Sequence, residues 1–296
     1  MRRQGAALYL RDLVAVLTVA VFMFPLFWWV LASFKPYTAI FSHVPNYFDF
    51  TPTLRNYGIT LLGWSRVEQD LTSGGVGAIH GGSSSYYSIP SILQSFAVAC
   101  GSTIIALLLA TPAAYALSRF SFRRRHDFVF FILAQRMLPP IAIAVPLFFI
   151  FRDLGLRDSI AGLILAHTLM SLPIAMLLMK SFFDDIPTDL DSAAMIDGAG
   201  RVGCFRHICL PLVRGGLAAT AVLCFIFSWT EFLISLQLTT QIRTIPVKIS
   251  TFVTSTGTEW GLITALGSAA LVPAFIVILL VQRHLVRGLS LGSIKE

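Results

Sequence analysis

Six apolar runs dominate this chain, at about 13–34, 90–117, 127–151, 160–180, 213–236 and 262–282. Crossing a bilayer takes about 20 predominantly apolar residues, so each run is long enough to span. Hydrophobic residues make up 56% of the 296 positions and charged residues only 12%. That balance excludes an ordinary soluble domain, and with it a soluble enzyme. Six spans in a chain of this length leave little for anything else. The expectation is an all-α, polytopic membrane protein with six transmembrane helices forming one domain over 1–296.

The first run is too long for a signal peptide. Leu13 to Phe34 exceeds the ~7–15 residues of a signal h-region, and Leu31-Ala32-Ser33 is a poor cleavage site. Lys and Arg then set the orientation. Fourteen of the 22 fall on the side shared by the two termini and by the stretch 184–212, seven fall on the other side, and Arg136 lies within a span. Both termini are therefore expected in the cytoplasm. The net charge of +7 reads as attraction to anionic lipid rather than to nucleic acid.

Residues 35–89 form the long extracytoplasmic segment. Pro36, Pro45, Pro52 and two glycine-rich stretches, Gly74 to Gly77 and Gly81 to Ser85, make it a loop rather than a packed domain. Its scattered rings, Tyr37, Phe41, Tyr47, Phe48, Tyr57 and Trp64, suit the headgroup level. Pro112, Pro139-Pro140, Pro146, Pro173 and Pro273 sit within the spans. Each removes a backbone donor, which membranes tolerate where a neighbouring helix or a cavity satisfies the freed carbonyl.

The polar island at 188–211 has its own grammar. Thr188 is placed to cap a helix, with Asp191 at the fourth position of a Thr-x-x-Asp capping box. Asp189 and Asp191 favour the positive end of the helix dipole. Ala193 and Ala194 extend the helix, and Gly198 can take the left-handed turn that ends it. A second short helix follows with Val202, Phe205 and Cys209 on one side, and Pro211 stops it. The expected product is helix, glycine hinge, helix.

This island resembles the cytoplasmic loop by which permease subunits of bacterial binding-protein-dependent ABC importers grip their ATPases. That pattern runs Glu-Ala-Ala, three residues, Gly, about nine residues, then Ile-x-Leu-Pro. Ala193, Ala194, Gly198, Ile208, Leu210 and Pro211 fall in register, and Asp197-Gly198-Ala199 repeats the pattern's Asp-Gly-Ala. Ser192 stands where the glutamate is usual, with Asp191 just before it. The resemblance implies that Asp191 to Ala194, Asp197 to Ala199, Ile208, Leu210 and Pro211 couple to the ATPase.

Further segments extend the likeness to the carbohydrate-uptake group. Ala114-Tyr115-Ala116-Leu117-Ser118-Arg119-Phe120-Ser121-Phe122 is similar to the end of that group's second span. Gln94-Ser95 stands where the group tends to have Asn-Ser. Trp229-Thr230-Glu231-Phe232 is similar to a fifth-span motif of the group, with Thr230 in place of asparagine. The ending from Arg287 to Lys295 resembles the tail of the maltose transporter's smaller permease. That implies ATPase contact by Gly288, Leu289, Gly292 and Ser293 in the tail 283–296. The resemblance also implies the partners: a second permease, two ATPase subunits that carry ATP and Mg, and an extracytoplasmic substrate-binding protein.

The chain itself carries no nucleotide motif. Gly198-Ala199-Gly200-Arg201-Val202-Gly203 spells GxGxxG, but the segment before it is a membrane span rather than a strand. None of the four lysines follows a glycine, so no Walker A sequence is present. Catalytic residues and resident cofactors are therefore not expected. No metal is expected either: Cys204, His207 and Cys209 lack a fourth ligand and the spacing of a zinc site, and the four cysteines form no disulfide framework.

Ionisable groups inside a membrane are costly and mark function by default. Arg136 and Glu231 are the two clear cases, and Trp229 supplies an aromatic face beside Glu231. These three are the candidates for a translocation pathway, against a purely structural role in which Arg136 and Glu231 pair with each other, with backbone or with a partner. The function expected is the permease subunit of an ATP-driven importer for a sugar or sugar-like solute. The alternatives are an amino-acid or peptide importer permease, and a stand-alone secondary transporter.

Overall fold

The computed structural model describes residues 2–43, 47–64, 86–254 and 257–291, with side chains from 11 to 282. Residues 65–85, the glycine-rich part of the 35–89 loop, lie outside the described residues. Helix dominates throughout. Among the described residues, four helices are long and apolar enough to cross a membrane alone: Arg11–Ser33, Ile89–Arg119, Ile160–Asp184 and Trp260–Gln282. Counting each of two sharply bent helix pairs as one span brings the number to six. Among the described residues, the small departure from all-α is an antiparallel ladder of two two-residue strands, β1 (Val253–Thr254) and β2 (Gly257–Thr258).

The chain divides into two compact units. The first comprises 1–90 and 249–271. It holds α1 (Arg2–Ser33), α2 (Tyr37–Ile40), α3 (Arg55–Leu62), the ladder and the start of the last helix. The last carbonyls of α1 lack intrahelical partners. Buried Asn56 supplies one, its Nδ2 donating to Ser33 O at 2.8 Å and to Lys35 O at 2.9 Å. Tyr57 bonds Ser33 Oγ at 2.7 Å, and Tyr37, Phe41, Tyr47, Phe48 and Trp64 are exposed.

The second unit comprises 91–248 and 272–296. Its helices are α4 (Ile89–Arg119), α5 (Arg125–Met137), α6 (Pro140–Asp153), α7 (Ile160–Asp184), α8 (Thr188–Ile196), α9 (Arg201–Cys204), α10 (Leu210–Leu212), α11 (Arg214–Trp229), α12 (Leu233–Leu238), α13 (Ile245–Ser250) and the end of α14 (Trp260–Leu291). Ala106, Ala110 and Ala114 lie four apart on α4 and are wholly buried. Small residues at that spacing let membrane helices approach closely, where dispersion rather than hydrophobicity drives packing. Helix α11 lies along α7, and Gly216 admits it: a Cβ there would sit 2.3 Å from the Phe182 ring.

Two of the expected spans are interrupted. The run at 127–151 bends by 96° between α5 and α6 at Leu138-Pro139. Pro139 and Pro140 cannot donate to the preceding turn, so the helix stops and restarts. The run at 213–236 breaks between α11 and α12, over Thr230 to Phe232. The second halves of both, α6 and α12, pack on each other around Leu147, Phe151, Ile234 and Leu238. Pro112, Pro146, Pro173 and Pro273 stay inside their helices.

Candidate functional site

Helix α8 starts at Thr188, with Pro187 before it in extended conformation and no side-chain cap. The expected capping box therefore does not form. Thr188 is already helical, and its carbonyl accepts from Ser192 Oγ at 3.3 Å. Asp191 is free to turn inward. Of the nine residues of α8, only Asp191 and Ala194 are buried; Ser192, Ala193, Met195 and Ile196 face outward.

The glycine hinge forms as the residue types require. Gly198 has φ +85°, a left-handed conformation that an L side chain enters at a cost of roughly 1–2 kcal/mol. Ala199 N donates to Ala194 O at 2.9 Å and Gly198 N to Met195 O at 3.2 Å. These are the two bonds of a Schellman ending. Space is not the constraint, because nothing lies within 4 Å of where a Gly198 Cβ would be.

Beyond the hinge the helix departs from the expected register. After α9 comes a π-turn at Phe205–Cys209, closed by Leu210 N on Phe205 O, and α10 follows. The wider turn rotates later residues relative to an α-helix. Val202 is consequently 77% exposed while Cys209 is fully buried, so the expected common face of Val202, Phe205 and Cys209 does not exist. Pro211 does not stop this helix. It lies in the first turn of α10, and the chain bends by 74° at Val213 instead.

Asp191 is the centre of a buried cluster. Arg119, at the end of α4, brings Nε to 2.6 Å from Asp191 Oδ2, with side-chain exposures of 7% and 11%. This is a close charge contact rather than an aligned hydrogen bond. The same guanidinium donates through Nη2 to Ile186 O at 2.8 Å. The thiols of Cys204 and Cys209 donate to Asp191 Oδ1 at 2.8 and 3.1 Å. Tyr115 packs over Phe183 and Phe205, with ring centroids 5.4 and 4.9 Å away.

Burial alone would raise the Asp191 carboxyl. The Cys204 and Cys209 thiols, the Arg119 charge and the Tyr115 hydroxyl outweigh it and hold the group below its ordinary range. Burial, followed by the bond to Asp191, pushes the Cys204 thiol up and Cys209 to about 12. Both sulfurs therefore stay protonated donors. One Asp191 oxygen and the two sulfurs lie within 4.8 Å of one another, and the other Asp191 oxygen lies against Arg119. His207 is exposed and bonded to Gly203 O, so it does not join the cysteines.

Four large apolar side chains are exposed on the outer surface of an otherwise polar loop. Leu190, Met195, Ile196 and Val202 are exposed by 43%, 43%, 87% and 77%. They surround the hinge together with exposed Ser192, Ala193, Asp197 and Gly198; Pro211 is also exposed, and Ala199, Ile208 and Leu210 are half-buried. The sequence reading named the small residues of this surface and missed its large ones. It also missed Arg119, although Arg119 stood inside a quoted motif.

The intramembrane candidates have separate partners. Arg136 ends α5, exposed, with Nη1 3.5 Å from Met170 O and its guanidinium 5.7 Å from the Phe227 ring centroid. Trp229 is buried and stacked on Phe225 at 5.5 Å. Glu231 caps α12: it accepts from Ile234 N at 2.7 Å, Ser235 N at 3.0 Å and Ser235 Oγ at 2.9 Å. His167 Nε2 lies 3.4 Å from it, and His167 Nδ1 meets Ser228 Oγ at 2.7 Å. Arg136 and Glu231 thus satisfy different groups. Within the tail, Gly288 and Leu289 belong to α14, while Gly292 and Ser293 lie outside the described residues.

Residues 102–291, which include the whole coupling-like loop, match the family described as binding-protein-dependent transport system inner membrane component. The chain belongs to this family. It is 32% identical to the sulfoquinovosyl glycerol transport system permease protein SmoH of Agrobacterium fabrum, covering 97% of this chain and 93% of the relative. It is 32% identical to the trehalose/maltose transport system permease protein MalG of Thermococcus litoralis, covering 95% and 94%. Identity to the trehalose transport system permease protein SugB of Mycobacterium tuberculosis is 36%, over 69% of this chain and 76% of that one. The fold is shared with a chain from the crystal structure of a bacterial ABC transporter involved in the import of the acidic polysaccharide alginate. That match has a TM-score of 0.66 at 21% identity and covers 96% of this chain and 98% of the other. This inner-membrane component is thus an ABC importer permease, a multi-pass transport subunit rather than an enzyme, and it works with other subunits.

Proposed function

We propose that this permease carries a sugar or sugar-like solute across the cytoplasmic membrane, driven by ATP hydrolysis on separate subunits. Two ATPases, which bind ATP and Mg, would dock on the surface formed by 188–211. A second permease would complete the transmembrane pathway, and an extracytoplasmic binding protein would deliver solute. Both termini then lie in the cytoplasm, as the distribution of Lys and Arg favours.

The observation that carries this reading is the apolar surface around Gly198. Exposed Leu190, Ile196 and Val202 on a polar connector are the kind of apolar surface that a docked protein would cover, and the seat below them holds α8 in place. The sugar class rests on near full-length similarity to permeases named for sulfoquinovosyl glycerol and for trehalose/maltose. Gly288, Leu289, Gly292 and Ser293 of the tail would add a second ATPase contact. Arg136, and Glu231 with its neighbour Trp229, are proposed on or next to the solute path, because each lies at or next to the break in a span.

The test is purification of the assembled transporter followed by binding assays on its binding protein. Expected are a co-purifying ATPase and a binding protein that takes up sugars. A complex without an ATPase, or a binding protein selective for amino acids or peptides, overturns the reading.

A further inference from the structure

Helix α8 has nine residues, too few to be stable alone, since isolated helices below about 12–15 residues are marginal in water. It must be oriented by what it rests on. Only Asp191 and Ala194 reach the interior. Ala194 is small and non-directional, so Asp191 is left to set how α8 is rotated on its seat.

We propose that Arg119 and Asp191 form a buried joint that transmits ATPase movement to α4 and α7, with both acting as positioning residues and neither touching the ATPase. This rests on the reading of 188–211 as the docking surface. Four segments meet at the joint. Arg119 closes the end of α4, Ile186 O belongs to the turn leaving α7, Asp191 belongs to α8, and the two thiols come from the helix after the hinge. The donors and the charge are matched only when α8 sits in this rotation. A buried ion pair of this kind is a poor source of stability but is suited to fixing register. The acidic side chain next to the missing glutamate therefore works from inside, and Ser192 is left on the outer face.

The first test needs no mutation. In the whole complex in proteoliposomes, a membrane-permeant maleimide is applied without nucleotide and again with ATP under arrested hydrolysis, and labelling is mapped to Cys204 and Cys209. A joint that moves as one piece keeps both thiols protected in both states. Labelling in either state at a rate within about tenfold of the denatured protein overturns the proposal.

The second test uses Arg119→Gln. The ATPase should still co-purify, both thiols should label at least about tenfold faster, and stimulated hydrolysis should fall by about tenfold, within the usual span of coupling between sites. Arg119→Lys should recover part of both. Wild-type stimulation with protected thiols in Arg119→Gln would overturn the proposal, as would loss of the ATPase with thiols still protected. Asp153→Asn, which removes an exposed charge paired with Arg152, should match the wild type, and an equal loss there would refute a specific role. Should no ATPase co-purify with the wild-type chain, the docking reading fails, while labelling of this chain still reports whether the joint exists.

Discussion

The two ends of α7 are each tied to a neighbouring loop by one aspartate, in opposite ways. At the start, Asp158 grips backbone. Its Oδ1 accepts from Thr240, Gln241 and Ile242 N at 3.2, 3.0 and 3.0 Å, and its Oδ2 from Thr240 Oγ1 at 2.6 Å. Ser95 Oγ and Gln94 Oε1 extend the hold to Ile245 N and Arg243 N. At the other end, Asp191 meets the side chains of Arg119, Cys204 and Cys209. A carboxylate bonded to successive amides fixes the shape of one loop, whatever its side chains. A carboxylate bonded to side chains from several helices fixes the relation between those helices. The first is a clip and the second is a joint.

The strongest way to break the joint is Arg119→Met, which leaves Asp191 buried without its charge partner. Removing one member of a buried pair costs about 3–5 kcal/mol, so thermal unfolding of the purified complex should begin well below that of the wild type. Next comes Gly198→Pro. It forces φ from +85° to about −65° and deletes the bond to Met195 O, for about 3 kcal/mol or more. Uptake should be abolished while the subunit still inserts, as judged by membrane content against transport.

The clip should respond to acid at its own pH. Burial opposes ionisation of Asp158, but Thr240 Oγ1 and the three amides lower it to about 2. A depressed folded pKa contributes stability above the ordinary carboxylate value near ~4 and loses it as pH falls through the folded value. Amides 240–242 should therefore remain protected from hydrogen exchange at pH 4 and lose protection as pH approaches 2. Asp158→Asn should cost about 1.5–3 kcal/mol locally and abolish that pH dependence. The smallest effect belongs to Asp153→Asn. Its pair with Arg152 is exposed by more than half on both sides, and such pairs are worth about 0–1 kcal/mol.

Much of this architecture can be read from residue types, because local chemistry decides it. Apolar length marks the spans, and the Gly198 hinge follows from the one residue that takes its φ freely. Pro139-Pro140 explains a break that the expected span at 127–151 did not include, since the other span prolines stay inside their helices. The joint is a different matter. Arg119 lies far upstream of Asp191, and no periodicity in either helix links them. The capping expectation gave Thr188 the cap position, but Pro187 stands there and Thr188 is already the first helical residue. The π-turn at Phe205–Cys209 separated Val202 from Cys209, and no residue there announces a π-turn. Glu231 was legible as costly inside a membrane, whereas its use as a cap depends on a helix break that its own sequence does not spell.

The central claim is that 188–211 is the surface to which a separate ATPase docks, and it is tested most directly at Ile196, the most exposed of the apolar side chains around the hinge. A photo-activatable phenylalanine replaces Ile196 in one complex and Gln241, an exposed residue of the clip, in another, and each is irradiated in native membranes. The account predicts a covalent adduct between position 196 and the ATPase subunit, and none from position 241. An ATPase adduct from 241, or failure of 196 to capture the ATPase in a complex that still transports, would contradict it.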